Sequence, residues 1–227
     1  ISACEKGGQW EMALELFDSM EGRGLIPDAI SYSAAMSACE KGGLWEKALE
    51  LLGTMGQNGV APDALNLDGA LVLLQERQDV DTFNKAISLC GKEGSWEKAL
   101  ELFGSMEGLG LKPNDACFSA AIRACLVGGQ WERALLLLMS MRRLGVKPGL
   151  NTYNTVISAC SSSGQWEEAC WVLDSMESPD AYSFCTAIHA CGKALKWEKA
   201  LELFNSMKGR GIKPNVITYS AAISACG

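Results

Sequence analysis

Gly42-Gly43-Leu44-Trp45-Glu46-Lys47-Ala48-Leu49-Glu50-Leu51 is the stretch that decides the fold, because it returns almost unaltered along the chain. Trp10, Trp45, Trp96, Trp131, Trp166 and Trp197 each open the phrase Trp-Glu-x-Ala, continued in most copies as Leu-Glu-Leu-Phe or close to it. The steps between these tryptophans are 35, 51, 35, 35 and 31 residues. A fixed period in the thirties marks an array of helical repeats, each too small to bury its apolar face alone. A Met follows every one of these tryptophans after ten residues (Met20, Met55, Met106, Met141, Met176, Met207). Each unit then closes on Pro-Asp, Pro-Asn or Pro-Gly, with glycine ahead of the Pro in all but the 31-residue unit.

Working outward from Trp45 gives the plan of one unit. Upstream, Tyr32, Ala35, Met36 and Cys39 fall at i, i+3, i+4 and i+7, the stripe of an amphipathic helix. Gly42-Gly43 supplies the backbone freedom of a tight turn between helices. Downstream, Trp45, Ala48, Leu49, Leu52 and Met55 form a second stripe, after which Gly59 and Pro62 stop the helix. All six prolines (Pro27, Pro62, Pro113, Pro148, Pro179, Pro214) hold this closing place. The unit is a helix A, a turn, a helix B and a Pro-closed loop. The fold class expected is all-α, a right-handed α-solenoid of helix-turn-helix repeats.

The units are a partial repeat over 1–28, repeats over 29–63, 80–114 and 115–149, a short repeat over 150–180, a repeat over 181–215 and a partial repeat over 216–227. Between 64 and 79 the period fails by 16 residues, yet Leu67, Ala70, Leu71 and Leu74 keep helix A spacing. An orphan helix from Ala64 to about Gln75 is expected there, offsetting the stack. The short repeat is expected to lack the Gly-containing stretch before Pro179. Both ends leave apolar faces uncovered, which reads as a segment of a longer protein.

Composition narrows the function. The net charge of -7 counts against a uniformly basic nucleic-acid surface. Helix A segments hold six bases against five acids, so the remainder carries -8 of the total -7. No run of about 18 apolar residues is present, so no membrane span is expected. Seven of the ten cysteines (Cys4, Cys39, Cys90, Cys125, Cys160, Cys191, Cys226) sit six residues before the repeat Trp or its place. Stacked helices lie roughly 10 Å apart, whereas a disulfide needs Cα atoms within about 7 Å. These like-placed thiols therefore read as small core residues in a reducing compartment. One histidine, His189, without a nucleophile or paired carboxylates, gives no catalytic or metal constellation. No enzyme activity, cofactor, metal or small-molecule substrate is expected.

The run Gly211-Ile212-Lys213-Pro214-Asn215 followed by Val216 to Cys226, with Ala-Leu-Glu-Leu-Phe-x-Ser-Met at 13–20 and 200–207, resembles the pentatricopeptide repeat family. The tetratricopeptide family is a near relative, but its period is 34 and its Trp lies in helix A. The resemblance implies single-stranded RNA binding, one base per repeat, in an organellar RNA-processing or RNA-stability factor of mitochondrion or plastid. It implies base reading by the fifth and last residues of each repeat: Ser33 with Asp63, Asn84 with Asn114, Ser119 with Gly149, Asn154 with Asp180, Cys185 with Asn215, and Ser220 in the final partial unit. By the family's pattern Ser-Asp resembles a guanine reader, Asn-Asn a cytosine reader and Asn-Asp a uracil reader. Ser119 with Gly149 lacks a second polar side chain and should be nearly blind. Second-position residues stack bases in this family, which here points to Ile30, Tyr182 and Ile217. Lys6, Lys41, Lys92 and Lys193 share the place where family members contact phosphate. Two readings fit those lysines, a phosphate contact or a solvated cation at a helix C-terminus. The rival function is a protein-binding helical scaffold, in keeping with the acidic balance.

Overall fold

The computed structural model describes residues 9–58, 60, 79–92 and 94–226. Twelve helices and no strand appear among them. Two compact units, Ile1–Pro113 and Asn114–Gly227, divide the chain. The first holds α1 (Trp10–Gly22), α2 (Ala29–Gly42), α3 (Trp45–Gln57), α4 (Val80–Lys92) and α5 (Trp96–Gly108). The second holds α6 (Asp115–Val127), α7 (Trp131–Arg143), α8 (Leu150–Ser162), α9 (Trp166–Asp174), α10 (Ala181–Lys193), α11 (Trp197–Gly209) and α12 (Val216–Cys226). The orphan helix expected between 64 and 79 lies outside the described residues.

Every described helix B begins on the repeat tryptophan, and every described helix A except α4, which follows Gln78-Asp79, begins just after the residue that follows Pro. That residue is the N-cap. Asp28 Oδ1 accepts the Ser31 amide at 2.9 Å, Asn114 Oδ1 the Cys117 amide at 3.0 Å, and Asn215 Oδ1 the Thr218 amide at 2.9 Å. Each bond satisfies one orphan donor of the first helical turn, worth about 1 kcal/mol. The turn between helices A and B is left-handed at one residue. Gly43, Gly94, Gly129 and Gly164 hold it at φ of 64, 76, 67 and 76°, and Leu195 occupies the same place at φ 57°.

In the second unit helix A stacks on helix A (α6 on α8, α8 on α10, α10 on α12), and α8, α10 and α12 each also meet the preceding helix B. Position four is aromatic in all six described A helices and is a core knob in four of them. Phe118 and Phe184 are fully buried there, as are Tyr32 and Phe83 in the first unit. Burial on helix B centres on Ala and Met. Ala99, Leu102 and Met106 are inside on α5, as are Ala134, Leu138 and Met141 on α7. The tryptophan that opens the expected stripe is less buried than core spacing implies. Trp197 is exposed, and Trp10, Trp96, Trp131 and Trp166 are half-buried. The Trp10 indole reaches over the end of the neighbouring α2. A Cβ on Gly42 would come 2.8 Å from the Trp10 ring, so the glycine makes room for it.

The short repeat departs from expectation. The linkers after α7 and after α9 are both six residues long (144–149 and 175–180), while α9 has 9 residues and α7 has 13. The deletion therefore shortens the helix, although the replacing linker indeed lacks glycine. Four residues are close to one helical turn of 3.6, so the chain leaves α9 in nearly the phase in which the longer helices end.

Candidate nucleic-acid interface

The described residues at the second, fifth and last repeat places collect at the starts of the A helices, and the sequence dictates why. An N-cap Asp or Asn followed three residues on by Ser or Thr fixes the first turn from both sides. Asp28 Oδ1 takes the Ser31 hydroxyl at 2.7 Å as well as its amide, and Asp79 Oδ2 takes the Thr82 hydroxyl at 2.6 Å. Asp180 is the most developed case. Its Oδ1 accepts the Ser183 amide at 2.8 Å, and its own amide donates to Ser183 Oγ at 3.3 Å. Burial alone would raise the Asp180 carboxyl; hydrogen bonds from the Ser183 amide and hydroxyl and from Asn154 outweigh it and hold the group below its usual value.

These caps do not stand alone in the second unit. The fifth residue of one helix A reaches the third residue of the next. Ser119 Oγ lies 2.7 Å from Thr152 Oγ1, and Ser183 Oγ lies 2.6 Å from Asn154 Oδ1. Ser183 thus touches both members of the Asn154–Asp180 pair. Asn154 is only 8% exposed, a burial tolerated because its amide is hydrogen-bonded. The Cys185 thiol donates to the Ile217 carbonyl at 3.9 Å. The third-position hydroxyls were missed by reading the fifth and last places alone. The Asp-x-x-Ser and Asn-x-x-Thr capping spacing (Asp180 to Ser183, Asn215 to Thr218) was the signal that could have found them.

The remaining expected residues divide by accessibility. Ser33, Asn84, Ser119 and Cys185 are half-buried, Asn114, Asn215 and Ser220 are exposed, and Gly149 caps α8 without a side-chain bond. Ile30, Tyr182 and Ile217 are 74%, 58% and 66% exposed, so three apolar side chains stand in water at the second position. Asp81, Ala116 and Asn151 hold that position elsewhere. Lys41, Lys92 and Lys193 are exposed in the last turns of α2, α4 and α10, where a cation also opposes the helix dipole. Asp63 and Lys6 lie outside the described residues. No cluster of three or more His, Cys, Asp or Glu suited to a metal occurs among the described residues. Nor is any described helix long and apolar enough to cross a membrane.

Comparison with known proteins finds matches along most of the chain. The PPR repeat family model matches residues 1–41 and 179–227, the pentacotripeptide-repeat region of PRORP matches 81–183, and the PPR repeat matches 30–60. No curated protein sequence matches the chain. Among solved structures it is similar to the pentatricopeptide repeat protein PPR10 from maize, at 22% identity and TM-score 0.54, over 97% of this chain and 34% of that one. PPR10 in complex with an 18-nt psaJ RNA element gives 24% identity and TM-score 0.56, over 99% and 39%. The PPR domain of Arabidopsis thaliana protein-only RNase P 1 in complex with tRNA gives 16% identity and TM-score 0.56, over 84% and 94%. The chain thus spans little more than a third of the length of PPR10. At such identities the structural likeness shows the fold, an all-α solenoid of helix hairpins. Three models of one repeat type, together matching most of the chain, show that this chain belongs to the pentatricopeptide repeat family.

Proposed function

We propose that this chain binds single-stranded RNA along its helix A starts, one base per repeat, within an organellar RNA-processing or RNA-stability factor of mitochondrion or plastid. The observation that carries the reading is how each cap divides its own side chain. Asn114 and Asn215 commit Oδ1 to the helix, which leaves the Nδ2 amide, a donor only. Asp180 commits Oδ1 and keeps a second oxygen, an acceptor only. Capping converts an ambiguous amide or a symmetric carboxylate into a defined half of a hydrogen bond. Uracil presents N3–H and cytosine a bare N3, so an outward acceptor suits the first and an outward donor the second. This assigns Asn154–Asp180 to uracil and Asn84–Asn114 to cytosine, in line with the family's pattern. Support also comes from the RNA bound to PPR10 and to the PPR domain of protein-only RNase P 1. The nuclease activity in the latter's name is that of the longer protein, and this chain matches its repeat region.

Competition between two RNAs differing at one base tests the reading. Asp180→Asn keeps the cap oxygen and turns the outward acceptor into a donor. Preference at that base should move from uracil toward cytosine by about 1 kcal/mol, roughly fivefold, with other positions unchanged. Equal loss for both RNAs, or no change for either, rejects base readout at this repeat.

A protein-scaffold reading is favoured by one feature of helix B. Leu136 on α7 and Trp171 on α9 are exposed at the place that Glu15, Glu50, Glu101 and Glu202 hold in the other units. A fragment that enriches no motif in unbiased RNA selection would favour this second reading.

A further inference from the structure

Cys39, Cys90, Cys125, Cys160 and Cys191, at the common repeat place, are buried, and the spacing of stacked helices keeps like-placed thiols apart. Cys170 belongs to a different place. It follows Trp-Glu-x-Ala where the other five units carry Leu14, Leu49, Leu100, Leu135 and Leu201. Cysteine at that point of the short repeat brings its sulfur against the repeat cysteine of α10, with Cys170 Sγ 3.6 Å from Cys191 Sγ. Both thiols are buried, Cys170 at 6% exposure and Cys191 at none. The pair lies wholly inside the second unit, on α9 and α10.

We propose that Cys170 and Cys191 form a peroxide-oxidisable dithiol that closes into a disulfide tying α9 to α10. Hydrogen peroxide is the oxidant. The Cys191 thiolate attacks one peroxide oxygen; the S–O bond forms, the O–O bond breaks, and hydroxide leaves and is protonated to water. Cys170 sulfur then attacks the Cys191 sulfenic acid. The S–S bond forms, the S–O bond breaks, the Cys170 proton is lost and a second water leaves. Overall two thiols lose two electrons and two protons, and one peroxide becomes two waters. The contact distance must shrink by roughly 1.5 Å to reach the S–S bond of about 2.05 Å, a movement within reach of side-chain rotation. Local helix opening admits an oxidant of this size. Cys191 suits the nucleophile's role. A hydrogen bond from Cys170 and the charge of Lys199 draw its thiol downward against the burial that opposes them. The bond would fix the shortened helix B to the next helix A. The inference rests on the thiols alone and is independent of RNA binding.

The test is mass spectrometry of the whole chain after mild hydrogen peroxide, followed by denaturation and alkylation. Trypsin alone leaves 144–193 as one peptide, so cleavage after Glu168 and Glu177 is added to separate Cys170 from Cys185 and Cys191. The expected product is 169–177 joined to 178–193, two hydrogens lighter than the separate peptides. Fragment ions should place the link at Cys191, and dithiothreitol should reverse it. Cys170→Leu, which restores the residue of the other repeats, should fold and lose the link. Recovery of both thiols alkylated, a link through Cys185 or Cys160 instead, or a link surviving in Cys170→Leu each overturns the proposal.

Discussion

Replacing Leu195 by glycine should stabilise the protein, although it deletes a leucine. Leu195 takes φ 57° at the turn between α10 and α11, where the other five units carry glycine. A left-handed conformation costs a residue with a Cβ about 1–2 kcal/mol. Glycine removes that cost but enlarges the freedom of the unfolded chain, which takes back about 0.4–1 kcal/mol. The side chain is 85% exposed, so removing it forfeits little burial. The balance is a gain of about 0.5–1 kcal/mol. Urea unfolding followed by tryptophan fluorescence gives the stability. Hydrogen exchange in α10 and α11 localises it, since repeat arrays respond through nearest neighbours. Leu195→Ala is the control, because it keeps a Cβ in the left-handed turn and should gain nothing. Glycine no more stable than wild type, or alanine gaining as much as glycine, would refute the strain account.

The triple change of Lys41, Lys92 and Lys193 to Ala should weaken binding to every RNA alike and flatten the salt slope by roughly 0.7 per lost contact. An unchanged slope would assign these lysines to helix ends alone. Burial pushes the thiols of Cys39, Cys125 and Cys160 up to about 11, 11 and 12, so in the folded protein at pH 8 iodoacetamide should modify exposed Cys226 well before them. Prompt labelling of the three would contradict that burial. Hydrogen bonds hold the Asp180 carboxyl below the ordinary aspartate value of 3.8 despite the opposing burial, so its contribution to stability is present above that pH and is lost as pH falls through the folded value. The stability gap between wild type and Asp180→Ala should therefore narrow on acidification. A gap constant from pH 6 to pH 3 would mean the carboxylate's charge does not matter there.

Much of the molecule is legible in the sequence because the signals are local. Tryptophan opens helix B, glycine marks the turn, and Pro-Asp or Pro-Asn places the cap of the next helix A within a residue or two. The stripe of Tyr32, Ala35, Met36 and Cys39 is buried as its spacing predicts. What local signals could not show was where four missing residues came from in the short unit. A Gly-poor linker looked like a lost loop, yet the linker keeps its length and α9 gives up a turn. The preservation of helical phase decides that, and phase belongs to the packed hairpin. The candidate site was readable only as a list of places, carried by family resemblance. Nothing in the spacing showed that Ser183 would touch both Asn154 and Asp180, or that Asn154 would be buried.

By itself the sequence determined the repeat, its period, its caps and its core face, since each follows from neighbours within four residues along one helix. Tertiary structure alone decided which groups from successive repeats meet. Ser119 finds Thr152 at a separation of 33 residues, Asn154 finds Ser183 at 29 and Cys170 finds Cys191 at 21. Those separations are set by how one hairpin packs on the next. The packing fixes positions to within an ångström, the scale on which a hydrogen bond or a sulfur contact exists.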